Sequence, residues 1–156
     1  MGFLHNLKLR FSPPHLQDPD FGELIYMYIS NAPERSYWEA AHWFFPPTGT
    51  EIGIDLLGGE SGPLPEGRKF YLGLPARFSQ LLALVRPGLD QVFRDWYRRP
   101  ISVDIWQDVK FTGFGLDDPR ARPRRWEMSF EATGKKWLGI TVPFQDDTPG
   151  TPIVDT

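Results

Sequence analysis

The sequence predicts an α+β fold: a mostly antiparallel sheet of about six or seven strands with a proline-broken helix pair packed on one face. Three observations carry this. Short stretches of period-2 alternation, bounded by Pro, Gly or Asp, recur on both sides of the chain's middle. One long stretch, Leu74 to Tyr97, switches to 3,4 spacing. Aromatic residues make up 15% of the 156 residues, a content that disordered chains lack.

Taken in order, Leu7, Leu9 and Phe11 alternate with polar residues, so residues 3–11 read as a first strand, stopped by Ser12-Pro13-Pro14. Asp18-Pro19-Asp20 is a turn, Phe21 to Ile29 the next strand, and Asn31-Ala32-Pro33 a break. Two apolar runs, Tyr37–Phe45 and Thr50–Leu57, flank Pro46-Pro47-Thr48-Gly49 and form a hairpin. Symmetric closure sets Trp43 opposite Ile52, Ala41 opposite Ile54 and Glu39 opposite Leu56 on the core face. Trp38, Ala40, His42 and Phe44 then share the other face with Glu51, Gly53, Asp55 and Leu57. Residues 58–69 lack periodicity and read as a loop, and Phe70–Leu72 as a short strand or a lead into the helix.

The helical stripe comprises Leu74, Phe78, Leu81, Leu82, Val85, Leu89, Val92, Phe93, Trp96 and Tyr97. Pro75 suits a first helical position, and Pro87-Gly88 splits the run into two helices or kinks it sharply. Because the stripe stays in phase, both halves face the same sheet. Three strands follow: Ile101, Val103 and Ile105, continuing towards Val109 and Phe111; Trp126 to Ala132; and Leu138 to Phe144. Thr133-Gly134-Lys135-Lys136 joins the last two as a hairpin, and Pro143 ends its strand or marks an edge. Residues 1–145 thus form a single domain and residues 146–156 a loose tail.

Composition excludes several classes. The chain has no cysteine, so disulfides, zinc–thiolate sites and a Cys nucleophile are ruled out. No apolar run is long enough to span a bilayer, and the opening residues lack a signal-peptide pattern, so the expectation is a cytoplasmic protein with no membrane partner. The net charge of −3 disfavours nucleic acid as a partner. Charge is uneven: residues 1–65 hold 3 basic and 8 acidic side chains, residues 66–136 hold 14 and 9, and residues 137–156 hold only 3 acidic ones.

No nucleophile-elbow, P-loop, zincin or dinucleotide fingerprint is present, and His5, His15 and His42 form no spaced ligand pair. No catalytic residue, metal or cofactor is therefore assigned. Two surfaces are candidates for binding. Trp38, His42, Glu51 and Asp55 combine an aromatic ring, an imidazole and two carboxylates on the outer hairpin face. The same four residues also suit a solvated sheet face with ordinary cross-strand pairs. The second candidate is the run Arg120, Arg122, Arg124 and Arg125, whose guanidinium forks fit an anionic partner or a solvated loop that Asp117 and Asp118 partly neutralise. The helical aromatic stripe reads as core. The acidic N-terminal third suits either a basic partner or solubility.

Asp18-Pro19-Asp20-Phe21-Gly22-Glu23-Leu24 resembles the D-x-x-F-G-x-L opening of several small bacterial families of unknown function. Trp137-Leu138-Gly139-Ile140-Thr141-Val142-Pro143-Phe144 resembles their closing W-x-G-I-x-V strand. Some of those families are proposed to be immunity proteins of toxin systems, which bind a toxin and perform no chemistry. The resemblance implies a bacterial, non-catalytic protein-interaction module with an unidentified protein partner, and carries over no site residue. The competing expectation is a small-molecule-binding protein or hydrolase using the His/carboxylate face. A homodimer through an exposed sheet face or edge is a third possibility.

Overall fold

Period-2 alternation becomes the long strands of an α+β structure in the computed structural model, which describes residues 2–156. The elements are α1 (Phe3–Phe11), β1 (His15–Asp18), β2 (Gly22–Met27), β3 (Tyr37–Phe45), β4 (Thr50–Gly59), β5 (Gly62–Pro63), α2 (Pro65–Tyr97), β6 (Val109–Leu116), β7 (Arg125–Thr133), β8 (Trp137–Gln145), β9 (Thr148–Pro149) and β10 (Ile153–Asp155). The strands form one sheet in the order β1-β2-β3-β4-β6-β7-β8-β10, with β5 on β4 and β9 on β8. Ten strands replace the expected six or seven because short pieces of loop and tail also join the ladder.

Every pairing is antiparallel except β4 with β6, which meet in parallel at Gly53 and Gly113. Parallel neighbours need a long crossover, and α2 supplies it. The helix lies against the inner face. Phe78 meets Phe45 of β3 at 4.9 Å and Phe111 of β6 at 5.1 Å, and Phe70 meets Trp126 of β7 at 5.3 Å. Such edge-to-face pairs add about 0.5–1.5 kcal/mol each beyond burial.

Four expectations are corrected. Residues 3–11 are helical, not a strand. They contain no β-branched residue, and Leu, Lys and Arg are good helix formers. Second, α2 is one continuous helix of 33 residues, about 50 Å long, despite Pro75 and Pro87 inside it. It begins at Pro65 and absorbs much of the expected loop. Each internal proline costs about 3 kcal/mol. Fully buried side chains such as Leu74, Leu81 and Leu89 contribute about 1.5–3 kcal/mol each and offset it.

Third, Ile101–Ile105 forms no strand; a single 3-10 turn covers Ile105–Gln107. Charged side chains have claimed this backbone. Arg86 donates to the carbonyls of Ser102 and Val103 at 2.8 and 2.9 Å. Asp90 accepts from the Ile101 amide at 2.9 Å, and Asp108 from the Ser102 amide at 2.7 Å. Fourth, the tail folds back. β10 pairs with Gly139–Thr141 of β8, and the Gly150 amide donates to the Pro143 carbonyl at 2.7 Å. Gly88 makes room for this return, since a Cβ there would lie 2.9 Å from the Pro152 ring.

The Asp108 clamp gives a pH-dependent prediction. The hydrogen-bonded Arg99 guanidinium, with the Ser102 bonds, holds the Asp108 carboxyl well below the usual carboxylate range. Its stabilisation is present at neutral pH, persists down to the ordinary carboxylate value, and is lost as pH falls below it. Asp108→Asn should cost about 1–2 kcal/mol at pH 7 in urea unfolding, and the gap to wild type should narrow at strongly acidic pH.

Candidate acidic groove

The expected hairpin site does not assemble. Ala41 and His42 both stand opposite Gly53, a bulge that shifts the register between Ala40 and Trp43. Below the bulge the expected pairing holds, with Trp43 opposite Ile52. Beyond it every β3 side chain changes face, while β4 keeps Ile54 and Leu56 inward and Asp55 outward. Trp38 and Ala40 become fully buried, and the Trp38 indole N–H donates to the Gly59 carbonyl at 2.8 Å. Tyr37 and Glu39 turn outward, with Glu39 opposite Asp55. His42 Nδ1 does meet Glu51 Oε2 at 3.0 Å, but the His42 side chain is 80% exposed. Asp55 lies four residues further along β4, about 13 Å away.

The arginine run is largely spent on its own loop. Arg120 grips both carboxylate oxygens of Asp118 at 2.9 Å and holds that carboxyl down at about 2. Arg122 donates to the carbonyls of Pro119 and Ala121. Arg124 lies 5.2 Å over the Phe70 ring, and burial, aided by Arg122, lowers its pKa. Arg125 opens onto the outer sheet surface.

What the fold does bring together is a row of carboxylates. Because Gly53 pairs with Gly113, Gly115 stands beside Asp55, and Gly115 pairs with Glu127 of β7. Glu39, Asp55, Gly115 and Glu127 therefore form a lateral row across four strands. A Cβ at Gly115 would lie 2.9 Å from Glu127 Oε1, so the Glu127 side chain rests against this glycine. Two adjoining depressions, of about 620 and 420 Å³, share Asp55, Leu116 and Asp117. Arg125, Glu127 and Pro143 also line the first, and Arg35, Tyr37 and Leu57 the second.

Among the described residues, no cation pairs with Glu39, Asp55, Asp117 or Glu127 within 4.0 Å. Asp55 and Glu127 are both exposed, yet neighbouring strands crowd part of each side chain. That partial burial raises the Asp55 pKa, with the Glu39 charge adding to it. Burial likewise raises Glu127, with Asp117 adding. Beneath the row, the buried Tyr71 hydroxyl donates to the Asp55 carbonyl at 3.0 Å. Its pKa is pushed up by burial first and then by both Asp55 and Glu127, which places the two charges around one point of the sheet.

The arrangement suits Lys or Arg side chains. Leu57, Leu116 and Pro143 offer apolar walls for the aliphatic stems, and the carboxylates accept the charged heads. Of the sequence-derived candidates, Asp55 lines both depressions, Arg125 the first and Arg120 the second. Glu127, Glu39 and Tyr37 were missed as site residues. Glu127 carried a local signal in its outward alternation with Ser129 and Glu131, but its neighbour across the β4–β6 seam is non-local. No protein-family model matches the chain, and neither a curated protein nor a solved structure is detectably similar to it.

Proposed function

We propose that this protein is a non-catalytic, cytoplasmic binding module that holds a basic segment of a protein partner in the acidic groove, in the manner of an immunity protein. The observation that carries this reading is the pair Asp55 and Glu127, flanking Gly115 with no ion-pair partner within 4.0 Å among the described residues. Partly shielded carboxylates with no partner disfavour their own ionisation, and an incoming Lys or Arg reverses that. Binding needs both groups ionised. It therefore weakens on acidification at a higher pH than ordinary carboxylates would dictate, because both pKa values are raised.

The test is capture of the tagged protein's partner from lysate of the source cells, run in parallel with the Asp55→Lys/Glu127→Lys variant. A stoichiometric basic partner held by wild type and released by the variant supports the proposal. A partner held equally by both forms, or an acidic one, rejects it.

A further inference from the structure

We infer that α1 is an interfacial helix that docks the protein on an anionic lipid bilayer. At 3.6 residues per turn, Phe3, Leu7 and Phe11 follow one another along one side of α1, and Leu4 widens that side into a broad apolar stripe. Phe3, Leu4 and Phe11 are 76%, 80% and 76% exposed. The body of the protein is met chiefly from the opposite side, through buried Leu9 and the His5–Glu60 contact, while half-buried Leu7 borders a cleft against Tyr28 and Ile29. An ordinary surface helix buries its broad apolar side; α1 buries its narrow one.

The charges say what covers the stripe. Lys8 and Arg10 project on its two borders, and neither pairs with a carboxylate among the described residues. Arg10 instead lies 5.6 Å over the Phe11 ring. The helix carries no acidic residue on a chain whose net charge is −3. An apolar stripe bordered on both sides by cations fits the plane of an anionic bilayer: rings enter the acyl boundary and basic groups reach headgroup phosphates. A second copy of α1 would set like charges against each other. A cleft of about 460 Å³ between Phe3, Leu7, Tyr28 and Ile29 continues the apolar surface onto the body. No described helix is long and apolar enough to cross a membrane, and in-plane docking requires none. The expectation of no membrane partner rested on the lack of a bilayer-spanning run and of a signal-peptide pattern, and in-plane docking needs neither.

The experiment is co-sedimentation of the full chain with phosphatidylcholine vesicles and with mixed phosphatidylcholine–phosphatidylserine vesicles. Wild type should bind the anionic vesicles roughly tenfold or more better than the neutral ones, and less as salt rises. Lys8→Glu/Arg10→Glu and Phe3→Ser/Phe11→Ser should each lose roughly tenfold or more of that binding. Both pairs are solvent-facing, so circular dichroism and Tm should match wild type and exclude unfolding as the cause. Failure of wild type to bind anionic vesicles, or equal binding by the charge-reversed variant, overturns the inference. So does a wild-type dimer, without vesicle binding, that Phe3→Ser/Phe11→Ser dissociates, since the stripe then belongs to a second copy.

Discussion

Replacing Gly113 by alanine should destabilise the protein by about 3 kcal/mol, the upper range for overpacking a well-fitted site. For a chain of this length that is a fall in Tm of roughly 6–12 °C. The reason is local and rigid. A Cβ at Gly113 would sit 2.8 Å from the carbonyl oxygen of Gly53, and that neighbour is backbone, which cannot swing away. The contact is also the pair through which β4 and β6 meet, so relief of the clash must open the seam between the two halves of the sheet. Gly53→Ala is the matched control, because a Cβ there meets nothing closer than 3.8 Å. Thermal unfolding of the two variants side by side checks the account, and equal Tm values would contradict it. The acidic groove spans the same seam, so Gly113→Ala should impair partner binding as well.

Neutralising the groove should move stability and binding in opposite directions. In Asp55→Asn/Glu127→Gln the shapes are kept and the charges removed. Raised folded-state pKa values mean that ionisation of these groups disfavours the folded state at neutral pH. The wild-type protein regains that stability as pH falls through the raised values towards the ordinary carboxylate value. The neutral variant should therefore have a Tm equal to or above wild type at pH 7, and the difference should vanish in acid. Affinity for a basic partner should fall by about 2 kcal/mol or more, the size of a central interface contact. A face that served only solubility would show the stability effect without any loss of affinity.

The fold class was legible because it rests on local periodicity. The β7–β8 hairpin shows this well: alternation of Trp126, Met128, Phe130 and Ala132 against Leu138, Ile140, Val142 and Phe144 defines both strands and their inner face. Legibility stopped where a non-local contact or a single extra residue decided the outcome. The bulge at Ala41 and His42 carries no Gly or Pro signature, yet it inverts the faces of Trp38 and Glu39. The prolines of α2 argue locally for a break, and packing against the sheet overrides them. In the 101–105 stretch, alternation alone could not reveal that Arg86, Asp90 and Asp108 occupy the backbone groups a ladder would need. Half of the groove was visible in the outward-facing Asp55. Its join to Glu127 depends on β4 meeting β6 across a 33-residue helix, which no local pattern encodes.

The most direct test of the groove is the affinity of the captured partner for wild type and for Asp55→Asn/Glu127→Gln, measured at neutral pH by titration calorimetry. The groove reading predicts roughly thirtyfold or greater weakening in the variant, the equivalent of about 2 kcal/mol, with no loss of Tm. Unchanged affinity in a folded variant would contradict it and move the binding surface away from the Asp55–Gly115–Glu127 row.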